Sequence, residues 1–200
     1  MPDGLMARLW TGLLATSRLE ALAVLSSLVY VVLAVPRSRW CWVAGGIGSL
    51  IYVWLFARAR LPMQSLLQVW YLGVAVFGFL RWSREGMTRI SLLSWRGHVA
   101  GIAASLLLAV AIARFLAAET QAAWPHLDAS TLVLSLFATW LTARGKLENW
   151  LYWIVVDAVQ AWLYAAQGLV FTAFLFLVYL VIASAGFIEW SKIYQHQAVG

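Results

Sequence analysis

Three side chains set the chemical question. Trp150, Trp153 and Asp157 stand at i, i+3 and i+7, a spacing that puts two indoles and one carboxylate on the same face of a helix. The run they belong to, Asn149-Trp150-Leu151-Tyr152-Trp153-Ile154-Val155-Val156-Asp157, opens a long apolar stretch. An ionisable residue in the middle of such a stretch costs about 3 kcal/mol by insertion scales and is rarely idle. Indole faces attract a flat cationic ring, and a nearby carboxylate compensates its charge. Gln160 and Tyr164 continue the stripe and join the candidate substrate-binding set. Two other roles stay open for Asp157, a proton relay and polar contact between helices. Trp150, near the start of its helix, also fits an interfacial aromatic belt.

The surroundings of these residues are those of a membrane. Of 200 residues, 64% are hydrophobic and only 11% charged, and the mean hydropathy is +0.83. An ordinary soluble domain is about half apolar and a quarter charged, so the chain reads as an all-α polytopic membrane protein. Its net charge of +6 comes from Lys and Arg scattered in short breaks between apolar runs, which fits topology signals rather than nucleic-acid binding. The single cysteine, Cys41, excludes an intrachain disulfide. His98, His126 and His196 fall in loops or the tail without metal-ligand spacing. No phosphate loop, paired catalytic carboxylates or nucleophilic triad appears, so we expect a non-enzyme without cofactor or metal.

Seven apolar runs position the candidate residues. They cover about Leu19 to Val35, Trp40 to Ala57, Pro62 to Trp82, Val99 to Ala118, Leu127 to Ala143, Asn149 to Ala166, and a last one ending near Phe187. Pro62 suits a first helical turn. Gly145 suits a helix C-cap, and Gln167-Gly168 a tight turn. Residues 1–18 carry Leu5, Leu9, Leu13 and Leu14 with Met6 and Trp10, the pattern of a short interfacial helix.

Sliding the chain against itself by 108 places residues 19–84 on 127–192 without a gap, and 18 of these 66 pairs are identical. Trp42 falls on Trp150, Trp54 on Trp162, Tyr71 on Tyr179, Gly78-Phe79 on Gly186-Phe187, and Trp82-Ser83 on Trp190-Ser191. The expected organisation is an N-terminal segment (1–18), a three-helix repeat (19–84), a linker region with helix four (85–126), a second three-helix repeat (127–192) and a tail (193–200). Helices one and five are four crossings apart, so the two copies run in parallel. Gly45 stands opposite Trp153 and Ser49 opposite Asp157: one half supplies rings and charge, the other space.

The stretch from Asn149 to Asp157 resembles the PnuC family of vitamin transporters, whose members carry W-x-x-W-x-x-x-(N/D) in this helix. Leu66-Leu67-Gln68 with Tyr71, Gly78 and Trp82, and Trp42-x-x-Gly45 with Tyr52, resemble the family's third and second helices. The resemblance runs from about Leu19 to Lys192. It implies a seven-helix core arranged three plus one plus three, a homotrimer, and facilitated diffusion of a B-type vitamin precursor that a cytosolic kinase traps by phosphorylation. Trp42, Gln68 and Tyr71 thereby join the candidate set, with Gln68 serving either ligand contact or interhelical bonding, and Tyr71 also readable as packing. Family members associated with nicotinamide riboside tend to carry Asn, Tyr and Trp where this chain has Ala75, Phe77 and Phe79. A pyridinium or a thiazolium suits the face of Trp150, Trp153 and Asp157 better than a neutral vitamin. Ala75, Phe77 and Phe79 shift weight towards thiamine, but family frequency and the sugar-binding capacity of Gln68, Gln160 and Asp157 keep nicotinamide riboside the expected substrate, with thiamine the alternative and ion-coupled transport a further one.

Charge predicts the orientation. One side collects Arg37, Arg39, Arg81, Arg84, Arg89, Arg96, Arg144, Lys146 and Lys192, and the other only Arg8, Arg18, Arg58, Arg60 and Arg114. The richer side is expected in the cytoplasm of a bacterial inner membrane, with the N-terminus outside and the C-terminus inside.

Overall fold

The computed structural model describes residues 18–58, 62–84, 89–119 and 124–199. Seven helices make up nearly all of them: α1 Arg18–Ala34, α2 Trp40–Arg58, α3 Pro62–Arg84, α4 Trp95–Glu119, α5 Pro125–Ala143, α6 Asn149–Ala166 and α7 Val170–Val199. The expected interfacial helix within residues 1–18 lies outside the described residues, apart from Arg18, which begins α1.

Helix boundaries follow the expected punctuation. Pro62 opens α3, and Pro125 opens α5, where a missing N–H costs nothing. Gly145 (φ 66°) ends α5, with its N–H on the Thr142 carbonyl and the Lys146 N–H on the Leu141 carbonyl. The same pair of hydrogen bonds closes α1, where the Arg37 N–H donates to the Ala34 carbonyl and the Ser38 N–H to that of Leu33. There the left-handed residue is Arg37 (φ 60°), an unusual choice for a side chain.

Three helices or helix ends differ from the sequence expectation. α4 starts at Trp95, so His98 is helical, and His126 lies in the first turn of α5. α7 continues to Val199, through the stretch read as a tail and past His196. An apolar run marks what needs burial in lipid, whereas a helix extends into water wherever its residues favour it; the Glu189–Lys192 pair at 3.7 Å is one such support.

Among the described residues, four segments are long and apolar enough to cross a bilayer: Trp40–Arg58, Ser65–Ser83, Trp95–Arg114 and Val170–Gln197. α5 looks less apolar because its hydroxyls point inward. Thr131, Ser135, Thr139 and Thr142 are all buried, and Thr139 and Thr142 donate to carbonyls one turn back at 2.7 and 2.9 Å.

α1, α2 and α3 pack together, as do α5, α6 and α7, while α4 packs on α5. Between these groups α3 meets α5 and α1 meets α7. The junction is a tryptophan core. Trp42 and Trp82 meet edge to face at 5.3 Å, Trp150 and Trp190 at 5.5 Å, and Trp82 and Trp190 join the two pairs at 6.1 Å. Trp82 Nε1 donates to the Ala143 carbonyl at the end of α5 at 3.2 Å. Trp190 Nε1 donates to Ala34 and Val35 at the end of α1, at 3.3 and 3.0 Å.

Gly78 and Gly186 make this core possible. A Cβ on Gly78 would stand 2.4 Å from the Trp42 ring, and one on Gly186 2.7 Å from Trp150. On the same helix, a Cβ on Gly73 would have nothing within 4 Å. Gly78→Ala should therefore destabilise the protein by roughly 1–3 kcal/mol through overpacking, whereas Gly73→Ala should be neutral or stabilise by up to about 1 kcal/mol through helix propensity. Thermal unfolding in detergent checks both; equal effects at the two positions would contradict this account of the core.

Candidate functional site

The tryptophan core closes one end of a cavity of about 250 Å³. Its wall contains Trp42, Gln68, Tyr71, Trp150, Trp153 and Asp157, six of the eight residues singled out from the sequence. The other two lie elsewhere. Gln160 donates to Thr131 Oγ1 at 3.0 Å, which ties α6 to α5. Tyr164 stacks on Phe176 at 5.3 Å, and Phe176 itself lines the cavity. Helical spacing gave the direction of the stripe but not the depth at which the cavity stops.

The mouth of α6 is held firmly. Asn149 is fully buried, accepting from Thr142 Oγ1 at 2.9 Å and donating to the Lys146 carbonyl at 2.6 Å. The segment after α3 lies along the α5–α6 turn: Ser91 N donates to Gly145 O, and Leu147 N to Ser91 O, both at 3.1 Å. Glu148 Oε1 accepts from the Leu93 N–H at 2.9 Å. These bonds fix the start of the helix that carries Trp150, Trp153 and Asp157.

The lining is built from matched positions. Eight pairs separated by 108 residues account for sixteen of its nineteen members, among them Trp42 with Trp150, Tyr71 with Tyr179, Ala75 with Ala183 and Ala34 with Thr142. Tyr71 OH and Ser135 Oγ lie 2.8 Å apart across the halves, and Tyr179 faces Ser27, the residue matched to Ser135. The pairs that differ decide the chemistry: Ser49 with Asp157, Gln68 with Phe176, Gly45 with Trp153, Val31 with Thr139, and Ala34 with Thr142.

The reading of the first half as mere space needs correction. Tyr30 fills the room beside Gly45, where an added Cβ would lie 3.0 Å from its ring, and it also packs on Trp42 at 5.5 Å. An aromatic wall therefore exists in both halves, from α1 in one and from α6 in the other. Tyr30, Tyr52, Thr139, Thr142 and Phe176 were missed; their matched partners were visible in the repeat, but nothing in the sequence said which copies face the cavity. Phe77 and Phe79 lie outside it, Phe77 stacked on Trp140 at 5.0 Å and Phe79 beside Trp40 at 6.1 Å. Of the three departures noted above, only Ala75 touches the site.

Asp157 is 3% exposed. Among the described residues it has no ion-pair partner and no hydrogen bond from the protein. A buried carboxylate left so costs several kcal/mol in its charged form unless something supplies the missing charge or donor. The indole N–H groups of Trp42 and Trp150 are also buried without a partner. Among the described residues no group of His, Cys, Asp and Glu could hold a metal ion.

The family model described as nicotinamide mononucleotide transporter matches residues 17–192. The chain is similar to the riboflavin/roseoflavin transporter RibM of Streptomyces davaonensis, with 28% identity over 170 residues, 82% of this chain and 79% of that protein. It is similar to the nicotinamide riboside transporter PnuC of Escherichia coli, with 23% identity over 203 residues, 87% of this chain and 85% of that one. A crystal structure of the vitamin B3 transporter PnuC shares its fold, with a TM-score of 0.72 at 22% identity, covering 98% of this chain and 92% of the other. These relatives are transporters, not enzymes.

Gln68 and Gln160 separate a cavity residue from a structural one. Gln68→Leu should weaken ligand binding about 5- to 30-fold, and Gln160→Leu should leave the Kd within twofold while lowering stability by about 1 kcal/mol. Calorimetric titration with each candidate vitamin, alongside thermal unfolding, reads both; the reverse pattern would show that the site is misplaced.

Proposed function

This chain belongs to the nicotinamide mononucleotide transporter family, and from that premise we propose that it carries a cationic B-type vitamin precursor, nicotinamide riboside first, across a bacterial inner membrane by facilitated diffusion. The observation that carries the reading is Asp157, a buried carboxylate without a protein partner in the wall of an aromatic cavity. A pyridinium ring between Trp153 and the tyrosines brings the missing charge, and each ring contact adds about 0.5–2 kcal/mol. Gln68, Ser49, Thr139 and Thr142 offer hydrogen-bonding groups for sugar hydroxyls. Thiamine, with its thiazolium ring, satisfies the same carboxylate, but the argument for it from missing polar groups now rests on Ala75 alone.

A second reading has its own support. The 28% identity to a riboflavin carrier makes a neutral flavin the competing solute, with an imide N–H donating to Asp157. The cavity's 250 Å³ lies below the usual range of about 300–1,000 Å³ for ligand pockets, which favours the smaller solute.

The same reading includes two parallel three-helix repeats joined by α4, seven crossings, and an arginine-rich face in the cytoplasm. The exchanged bonds of Trp82 and Trp190 support the repeats, and positive charge supports the orientation. Homotrimeric assembly and trapping by a cytosolic vitamin kinase belong to it too, on the family resemblance. Asp157 is the one acidic or basic side chain buried in the described core, which favours uncoupled transport over ion coupling.

In liposomes without kinase or ATP, nicotinamide riboside should equilibrate to equal concentrations on both sides, and an imposed proton or sodium gradient should not drive accumulation. Asp157→Asn should weaken its binding at least tenfold, far more than Tyr71→Phe, in a variant that remains monodisperse. Uphill accumulation under a gradient would refute facilitated diffusion. Uptake of riboflavin alone would transfer the assignment to the flavin, and unchanged binding by Asp157→Asn would refute the site.

A further inference from the structure

The four tryptophans at the end of the cavity divide into two kinds. Trp42 and Trp150 form an inner pair: both line the cavity, and both keep a buried indole N–H without a partner. Trp82 and Trp190 form an outer pair, off the cavity and edge to face with the first, and their N–H groups are committed to the opposite half. The acceptors are carbonyls at the ends of α5 and α1, where intrahelical donors run out. Each half thereby completes a helix of the other.

We propose that Trp82 and Trp190 are a latch: positioning residues whose exchanged indole–carbonyl bonds hold the Trp42–Trp150 pair as a closed gate at the arginine-bearing end of the cavity, and whose release is a step of translocation. The proposal rests on the reading of this cavity as a transport path. Three observations carry it. The two bonds cross between the halves in opposite directions, so any separation of the halves at this end breaks both together. The inner indoles carry unmet buried donors, which an inert core avoids and which a rearrangement would satisfy. Finally, the inner rings lie against Gly78 and Gly186, so no side chain at either position interlocks with them. Two neutral hydrogen bonds are also a reversible closure, weak enough for thermal motion to undo.

The test reads access to the cavity rather than transport. Ser49 lines the cavity, and the parent's single cysteine, Cys41, is buried and sets the background. In Ser49→Cys protein, a membrane-impermeant thiol reagent is applied to intact cells and to inverted vesicles, with His196→Cys identifying the face that carries the end of α7. Adding Trp82→Phe and Trp190→Phe, which remove both donors and keep an aromatic ring, should raise labelling from that face about tenfold. Labelling from the other face should stay within twofold. A merely structural loosening raises both, and that result, or no change in a monodisperse protein, overturns the latch. If the double variant does not fold, Trp82→Phe alone is read in the same way and must give at least a twofold rise from that face only. Because no vitamin is involved, a working latch in a protein that moves none of the candidate vitamins would refute the transport reading instead.

Discussion

The ends of α1 and α5 are buried where the two halves meet, and a helix end there leaves carbonyls such as those of Val35 and Ala143 without a backbone donor. Ala34 and Ala143 are 1% and 0% exposed. The indoles of Trp82 and Trp190 supply donors to them from across the junction. Much of the centre follows from this exchange. The donors fix where α3 and α7 lie, Gly78 and Gly186 let the indoles of Trp42 and Trp150 approach those helices, and the resulting aromatic layer caps the cavity.

A junction built from matched positions would give a symmetric cavity, and a symmetric cavity suits a symmetric ligand. Here the frame is matched and the contents are not. Trp42 and Trp150, Tyr71 and Tyr179, and Ala75 and Ala183 preserve shape. Ser49 against Asp157, and Gln68 against Phe176, set a charged side and a neutral polar one. Aromatic area is conserved by exchange rather than identity, since Tyr30 from α1 fills the space beside Gly45 while Trp153 comes from α6. A solute with a flat charged ring at one end and hydroxyls at the other finds one orientation in such a frame.

Much of this was readable in the residues. The indole and carboxylate spacing of Trp150, Trp153 and Asp157 identified three members of the wall, because helical period is a local property. The family resemblance added Trp42, and the 108-residue match gave the frame. Gln160 and Tyr164 obey the same period yet face Thr131 and Phe176, because period fixes direction around a helix and says nothing about where a neighbouring helix ends a cavity. Phe77 and Phe79, where riboside-associated family members tend to carry Tyr and Trp, pack on Trp140 and Trp40.

The sequence by itself determined the membrane environment, the order and approximate extent of the helices, and the match of residues 19–84 to 127–192, since these depend on hydropathy, period and identity along the chain. It also determined that an isolated carboxylate lies among indoles. Only the tertiary structure decided that Tyr30 occupies the space beside Gly45, that Trp82 and Trp190 bond to the opposite half, and that Asp157 is left without a protein partner. Each of these depends on distances between residues on different helices, which close packing sets and no local pattern records.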